Sequence, residues 1–292
     1  MSGLAPRAVV VSRPSELSSL LARHGTRGAA AFFLKSRGRD LDEVTARDAA
    51  LTSALTAVGA AIPADWRRGH VSREDLPRFL FGPEDVVVVV GQDGLVANVA
   101  KYLDGQRVIG VDPEPGRNAG VLVRHQPAAV AGLLRGDLSG EARTMVVARL
   151  DDGQQLYGLN EIFIGDAGHQ SARYVLSVSS SVERQSSSGL IVGTGTGATG
   201  WCASIARDRA TPPPMPAPAD PAVCWFVREA WPSPATGASL VGGVLSGAQS
   251  LELTSESERL VAFADGVEAD ALQMTWGQRI TVTVADRRLQ LI

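Results

Sequence analysis

The chain has 292 residues, 45% of them hydrophobic and 20% charged, with a formal net charge of −3. That length suits one large domain or two ordinary ones, and the composition excludes wholesale disorder. The slight acidity excludes the basic field of a nucleic-acid binder, and the longest aliphatic run, Val86–Val90, is far too short to span a bilayer.

Cys202 and Cys224 form neither a metal-ligand spacing nor a disulfide framework, which points to a reducing, cytoplasmic setting. Several arginines precede residue 40, as in an organellar presequence. Ala8–Val11 already reads as a first strand, which leaves no room for a removable segment. After it, Pro14 marks a turn, and a short amphipathic helix runs to Gly25. Residues 41–59 carry apolar positions at helical spacing and predict a helix ending at Gly59. Asp85–Val90 is β-branched without alternation, the pattern of a strand buried on both faces of a parallel sheet. GQDG follows at Gly91–Gly94, then LVANVAKYL as a helix and RVIGVDP at 107–113 as another buried strand. This order predicts a doubly wound α/β domain over residues 1–125.

From about residue 143 the texture becomes short alternating runs separated by Gly, Asp and Ser turns, as in antiparallel β structure. WCASIAR at 201–207 is the one clear helix there, and TPPPMPAPADPA at 211–222 reads as an exposed loop. The tail returns to strands. The predicted fold class is therefore α/β plus β-rich, with a mostly antiparallel domain over 126–292 and an interdomain cleft.

Residues 189–201, GLIVGTGTGATGW, contain a formal G-x-G-x-x-G at Gly195, Gly197 and Gly200. A dinucleotide fold puts that turn after its first strand, with an acid about 20 residues later. Here the turn lies two-thirds along the chain and the proline-rich loop follows it, so the context fails. A P-loop fails as well, because no Gly-Lys-Ser/Thr follows. His24, His70, His125 and His169 show no ligand spacing, and G-x-S-x-G is absent from the sequence.

Two other stretches carry chemistry. In GQDG, Gly91 and Gly94 let backbone N–H groups approach phosphate at the mouth of a helix. Asp93 there can hold a magnesium, accept a proton from a hydroxyl, or simply shape the turn. In YGLNEIFIG, Asn160 and Glu161 interrupt a run suited to a buried strand. An adjacent carboxamide and carboxylate can bridge the two hydroxyls of a ribose, and a polar edge strand is the plainer alternative.

Taken in order, GQDG, VIGVDPEPGRNAGVL, LNEIFIG and SSGLIVGTGTGATGW resemble the ATP–NAD kinase family, particularly its mitochondrial-type branch. The family pattern is a GGDGT loop, an Asn-Glu pair and a Thr-x-Thr-Gly-Ser-Thr-Ala-Tyr-like loop, and the likeness spans about 85–270. It implies a bilobal enzyme that moves the γ-phosphoryl of ATP, or of another phosphoryl donor, to the adenosine ribose 2′-hydroxyl of NAD(H). Asp93 would be the catalytic aspartate, and Gly91, Gln92 and Gly94 the phosphate loop. Asn160, Glu161, Thr194, Thr196, Gly197, Thr199 and Trp201 would lie along the NAD. Asp265, in ADG, would reach a neighbouring subunit's site, which implies a homodimer or larger homo-oligomer. Magnesium would arrive with the nucleotide, with no metal motif of the protein's own, and neither nucleic acid nor membrane is an expected partner. Four residues depart from the pattern: Gln92 for glycine, Leu95 for threonine, Asp112 for asparagine and Ala198 for serine. They leave open a non-catalytic NAD- or nucleotide-binding regulatory module, and a lipid or sugar kinase shares the GGDGT-type loop.

Overall fold

The computed structural model describes residues 5–117 and 120–292, so Asn118 and Ala119 of the VIGVDPEPGRNAGVL stretch lie outside the described residues. The protein is a mixed α/β chain that divides into two compact units. The first comprises Met1–Val99, Gln106–Gly140 and Gln290–Ile292, and the second Ala100–Gly105 and Glu141–Leu289.

In the first unit β1 (Arg7–Ser12) leads through Ser15, whose hydroxyl caps α1 (Glu16–His24) by accepting the Ser18 N–H. Gly25 ends that helix at φ 77°, a conformation in which a Cβ is strained. Thr26 caps α2 (Arg27–Lys35), and Asp40 caps α3 (Leu41–Ala61). The third helix runs through Gly59 and stops only where Ile62 turns extended before Pro63. After it come β2 (Arg67–Ser72), β3 (Asp85–Val90), α4 (Asp93–Ala100), β4 (Arg107–Val111) and α5 (Val130–Arg135).

The four strands pair in parallel in the order β2-β1-β3-β4, and the chain's last residues add Gln290 and Leu291 beside Arg107 and Val108. Ala54 and Val58 of α3 and Val130 and Leu134 of α5 cluster with Val86, Val88 and Val90. Val87 and Val89, which point to the opposite face, are equally inaccessible. Burial on both faces is why this strand shows no alternation.

The second unit contains β5 (Glu141–Leu150), β6 (Gln155–Gly158), β7 (Glu161–Asp166), β8 (Ala172–Val178), β9 (Ser181–Ser187) and β10 (Leu190–Thr194). α6 (Trp201–Arg207) follows, then β11 (Ala222–Val227), β12 (Gly242–Ser246), β13 (Leu251–Ser255), β14 (Leu260–Ala264), β15 (Val267–Met274) and β16 (Arg279–Leu291). Six strands form an antiparallel sheet in the order β12-β11-β10-β7-β14-β15. The remaining strands of the unit run β16-β13-β8-β9, with β5 beside β16 and β6 beside β5. Inward residues of both layers, among them Ile162, Tyr174, Val192, Trp225, Leu253 and Val282, make one apolar core. On the outer face of the six-stranded sheet, Cys202 of α6 packs with Phe163, Ile191, Cys224 and Phe226. Residues 211–221 carry no helix or strand.

Candidate functional site

In the first unit the chain leaves β1, adds β2 on one side, and returns to add β3 on the other. The carboxyl ends of β1 and β3 therefore form a topological switch point, the position where open α/β sheets bind ligands. A cleft of about 550 Å³ opens there, lined among others by Arg13, Ser15, Arg47, Arg73, Gly91 and Gln92. Its rim also carries Glu16, Asp48, Glu74 and Glu114, so it is lined by both signs of charge. Arg47 is held between Glu16 at 3.5 Å and Glu114 at 3.3 Å, whereas Arg13 donates across to the Gln92 carboxamide oxygen at 3.1 Å.

The Gly91–Gly94 loop is a tight strand-to-helix turn, closed by the Leu95 N–H donating to the Gln92 carbonyl at 2.8 Å. Gln92 does not take a left-handed φ, so the substitution for glycine carries no backbone penalty there. A Cβ on Gly91 would sit 3.0 Å from the Leu95 side chain, while Gly94 faces open space. Leu95 is buried, which suits leucine in this turn. Asp112 accepts the Glu114 N–H at 2.9 Å and organises its own turn.

Asp93 is the first residue of α4. Its Oδ1 accepts the N–H groups of Leu122 and Val123 at 2.8 and 2.9 Å, and its Oδ2 accepts that of Val121 at 3.0 Å. One carboxylate thus ties three consecutive amides to the strand-to-helix turn. Asp93→Ala is expected to lower the unfolding free energy by about 2–4 kcal/mol, because hydrogen bonds to a charged acceptor are the costly ones to lose. Urea denaturation measures this, and a loss under about 1 kcal/mol would show that the clamp is dispensable.

In the second unit the Asn-Glu pair does not interrupt one strand, as its setting in an apolar run suggested. It forms a corner, β6 ending at Gly158 and β7 beginning at Glu161. That corner is clamped from β14 onward: Asp265 accepts the N–H groups of Leu159 at 2.9 Å, Asn160 at 2.7 Å and Glu161 at 3.3 Å. Asp265 has φ 54° and Gly266 φ 67°, the Asp-Gly signature of a two-residue hairpin turn. Lys101, almost fully buried, lies behind it, with Nζ 2.8 Å from Asp270 and 3.4 Å from the Ala264 carbonyl. Tyr102 donates to the same Asp270 at 2.7 Å.

These surroundings perturb two carboxyls. Burial, and then the charge of Asp265, push Glu161 up to about 7. Burial pushes Asp265 up to about 6, outweighing the three amides and Lys101, which act in the opposite direction. Among the described residues no hydrogen bond or ion pair engages the Glu161 carboxylate, although the residue is only half-buried.

The glycine loop closes the same corner. Thr194 is fully buried, donates to the Leu159 carbonyl at 2.5 Å and accepts from the N–H groups of Thr196 at 3.1 Å and Gly197 at 3.4 Å. The Thr196 hydroxyl accepts from the buried Arg143 at 3.3 Å. Thr199 is exposed and Trp201 half-buried, its ring stacked on Phe163 with centroids 5.7 Å apart. Ala198 is buried. Asn160, Glu161, Thr194, Thr196 and Gly197 are therefore brought together around one corner, with Asp265 behind it. Sequence reasoning missed Lys101 and Arg143 altogether.

Among the described residues no group of three His, Cys, Asp or Glu side chains is placed to hold a metal ion, and no helix is long and apolar enough to cross a membrane. Compared with known proteins, the chain matches no family model and no curated protein.

Proposed function

We propose that the protein is an NAD kinase-like phosphotransferase, moving the γ-phosphoryl of ATP or another phosphoryl donor to the adenosine ribose 2′-hydroxyl of NAD(H). The observation that carries this reading is the Glu161 carboxylate. It is half-buried, raised to about 7, and without a hydrogen-bond or ion-pair partner among the described residues, on a corner held by Asp265 and Thr194. A desolvated acceptor beside a carboxamide suits a vicinal diol, whose hydroxyls would supply the missing donors. Within the first unit, the switch-point cleft carries Arg13 beside the Gly91–Gly94 turn, a setting in which open α/β sheets take phosphate groups. Phosphoryl transfer needs positioning, a magnesium clamp and one proton acceptor, and little else from a protein. Magnesium in this reading enters with the donor, whose phosphate oxygens hold it.

Asp93 favours a second reading. A carboxylate committed to three backbone amides serves structure first, as in a non-catalytic NAD- or nucleotide-binding module. Incubation with magnesium, ATP or polyphosphate, and NAD or NADH separates the two. The phosphotransferase is expected to form NADP(H) with at least one donor. Saturable NAD binding with no product from any donor would leave the binding module standing.

A further inference from the structure

We propose that Cys202 and Cys224 form a dithiol site that a small peroxide oxidises to an internal disulfide, tying α6 to β11. The two residues stand twenty-two positions apart, a spacing with no disulfide or metal signal of its own. The fold brings them together on the outer face of the six-stranded sheet, where both are buried among Phe163, Ile191 and Phe226. Gly193 is the landmark between them. Cys224 lies directly opposite it in the antiparallel pair of β10 and β11, which puts the Cys224 Cβ about 5 Å from the space of the missing Gly193 side chain. The Cys202 sulfur fills that space, its own Cβ 3.8 Å from where a Gly193 Cβ would stand. The thiols are also linked: Cys202 donates to Cys224, and Cys224 donates to the Gly193 carbonyl at 3.5 Å. A disulfide asks for Cβ atoms about 4 Å apart, which the first turn of α6 meets by closing slightly on β11.

This line of donors divides the roles. Accepting from Cys202 outweighs burial and holds the Cys224 thiol below its ordinary range. Cys202, the donor, is pushed above its own by that bond, then by burial and by the charges of Cys224 and Glu161. Cys224 is therefore the attacking sulfur and Cys202 the resolving one. In the first step the Cys224 thiolate bonds to one peroxide oxygen and the O–O bond breaks. A sulfenic acid forms, and the departing hydroxide leaves as water with the proton that Cys224 released. The Cys202 sulfur then bonds to the sulfenic sulfur, and its proton leaves with the displaced oxygen as a second water. Two thiols and one peroxide become one disulfide and two waters. Both sulfurs are out of contact with solvent, so a bulky thiol reagent is kept out while a peroxide enters. The bond closes residues 203–223 into a loop that includes the proline-rich stretch without helix or strand. Nothing in this chemistry depends on the phosphotransferase reading.

The test treats the folded wild-type chain, well below its melting temperature, with a small excess of hydrogen peroxide and then counts thiols in denaturant. The count is expected to fall from the two free cysteines to zero, and to return to two with dithiothreitol. Trypsin should release residues 185–207 joined to residues 210–228, the peptides that carry Cys202 and Cys224. Cys202→Ala is expected to lose its remaining thiol about 10-fold or more slowly, since Cys224 has lost its donor, and to gain oxygen instead of closing a bond. An unchanged near-ultraviolet circular dichroism spectrum checks that each protein stays folded. The proposal is overturned if the wild type keeps both thiols until it is unfolded, or if its cysteines gain oxygen with no joined peptides. It is overturned as well if the joined peptides come from two chains, seen as a dimer on a non-reducing gel, or if Cys202→Ala loses its thiol as fast as the wild type. Should Cys202→Ala fail to fold, the wild-type peptide map decides alone.

Discussion

Replacing Gly195 or Gly197 by alanine is expected to cost the protein about 3 kcal/mol or more of stability, close to the limit a single domain survives. A Cβ on Gly195 would stand 2.1 Å from the Ala217 carbonyl oxygen, and one on Gly197 would stand 2.2 Å from that of Asn160. Both obstacles are backbone, so no rotamer change relieves them. Moving Asn160 would also strain the Asp265 clamp, because its N–H is one of the three that Asp265 holds. Gly132→Ala is the internal control: it lies inside α5 and its Cβ would meet nothing within 4 Å. That variant should fall within about 1 kcal/mol of the wild type. Urea denaturation of the three variants decides the matter. Equal stability of Gly197→Ala and Gly132→Ala would mean that the loop and the Asn-Glu corner are not in fixed contact.

The same contacts change what the glycines signify. Their letters suggested backbone laid bare for a ligand. In the structure the missing Cβ atoms at Gly195 and Gly197 make room for the chain's own carbonyls, and Thr194 spends its hydroxyl on Leu159. Any dinucleotide would meet the outer part of the loop, where Thr199 is exposed. The proximity of this loop to residues 160 and 161 had no local signal, since the partners lie some thirty-five residues apart.

Apolar and turn patterns were legible where burial is two-sided or where one residue dictates the backbone. Val86–Val90, the Trp201–Arg207 helix, the proline-rich loop and the Gly25 stop belong to that class. Edge strands were not: β2 reads RRGHVS and β9 reads SVERQSS, sequences in which solvent on one side removes the apolar pattern. Aspartate roles were hidden for another reason. Asp93 grips amides 28–30 residues away and Asp265 grips amides 104–106 residues away, and nothing near either residue announces its partners. The Asp265 carboxylate accepts from the Leu159, Asn160 and Glu161 N–H groups of its own chain, contacts that nothing near residue 265 in the sequence announced.

The charge held at that corner should make the fold more stable in mild acid than in mild base. Glu161 binds its proton with an affinity near 7 when folded, against an ordinary 4.5, and Asp265 near 6 against 3.8. A carboxyl whose folded value is raised holds protons more tightly in the native state, so the unfolding free energy falls as pH rises. The fall begins above the unfolded value and is complete once pH passes the folded one, a window from about 4.5 to about 7 for Glu161. Partial solvent access and the mutual repulsion of the two groups keep the penalties from adding in full. The wild type should accordingly be about 2–3 kcal/mol less stable at pH 8 than at pH 5 on this account. Carboxylates paired with arginines, such as Glu16 and Glu43, are held below their ordinary range, so they titrate in more acid solution and leave this window clear. Glu161→Gln removes the more strongly raised carboxyl, so it should weaken the dependence and be the more stable protein at pH 8, while the burial of Asp265 keeps a smaller dependence below about pH 6. Parallel urea midpoints for the two proteins across the window would show that Glu161 meets solvent freely and is not desolvated.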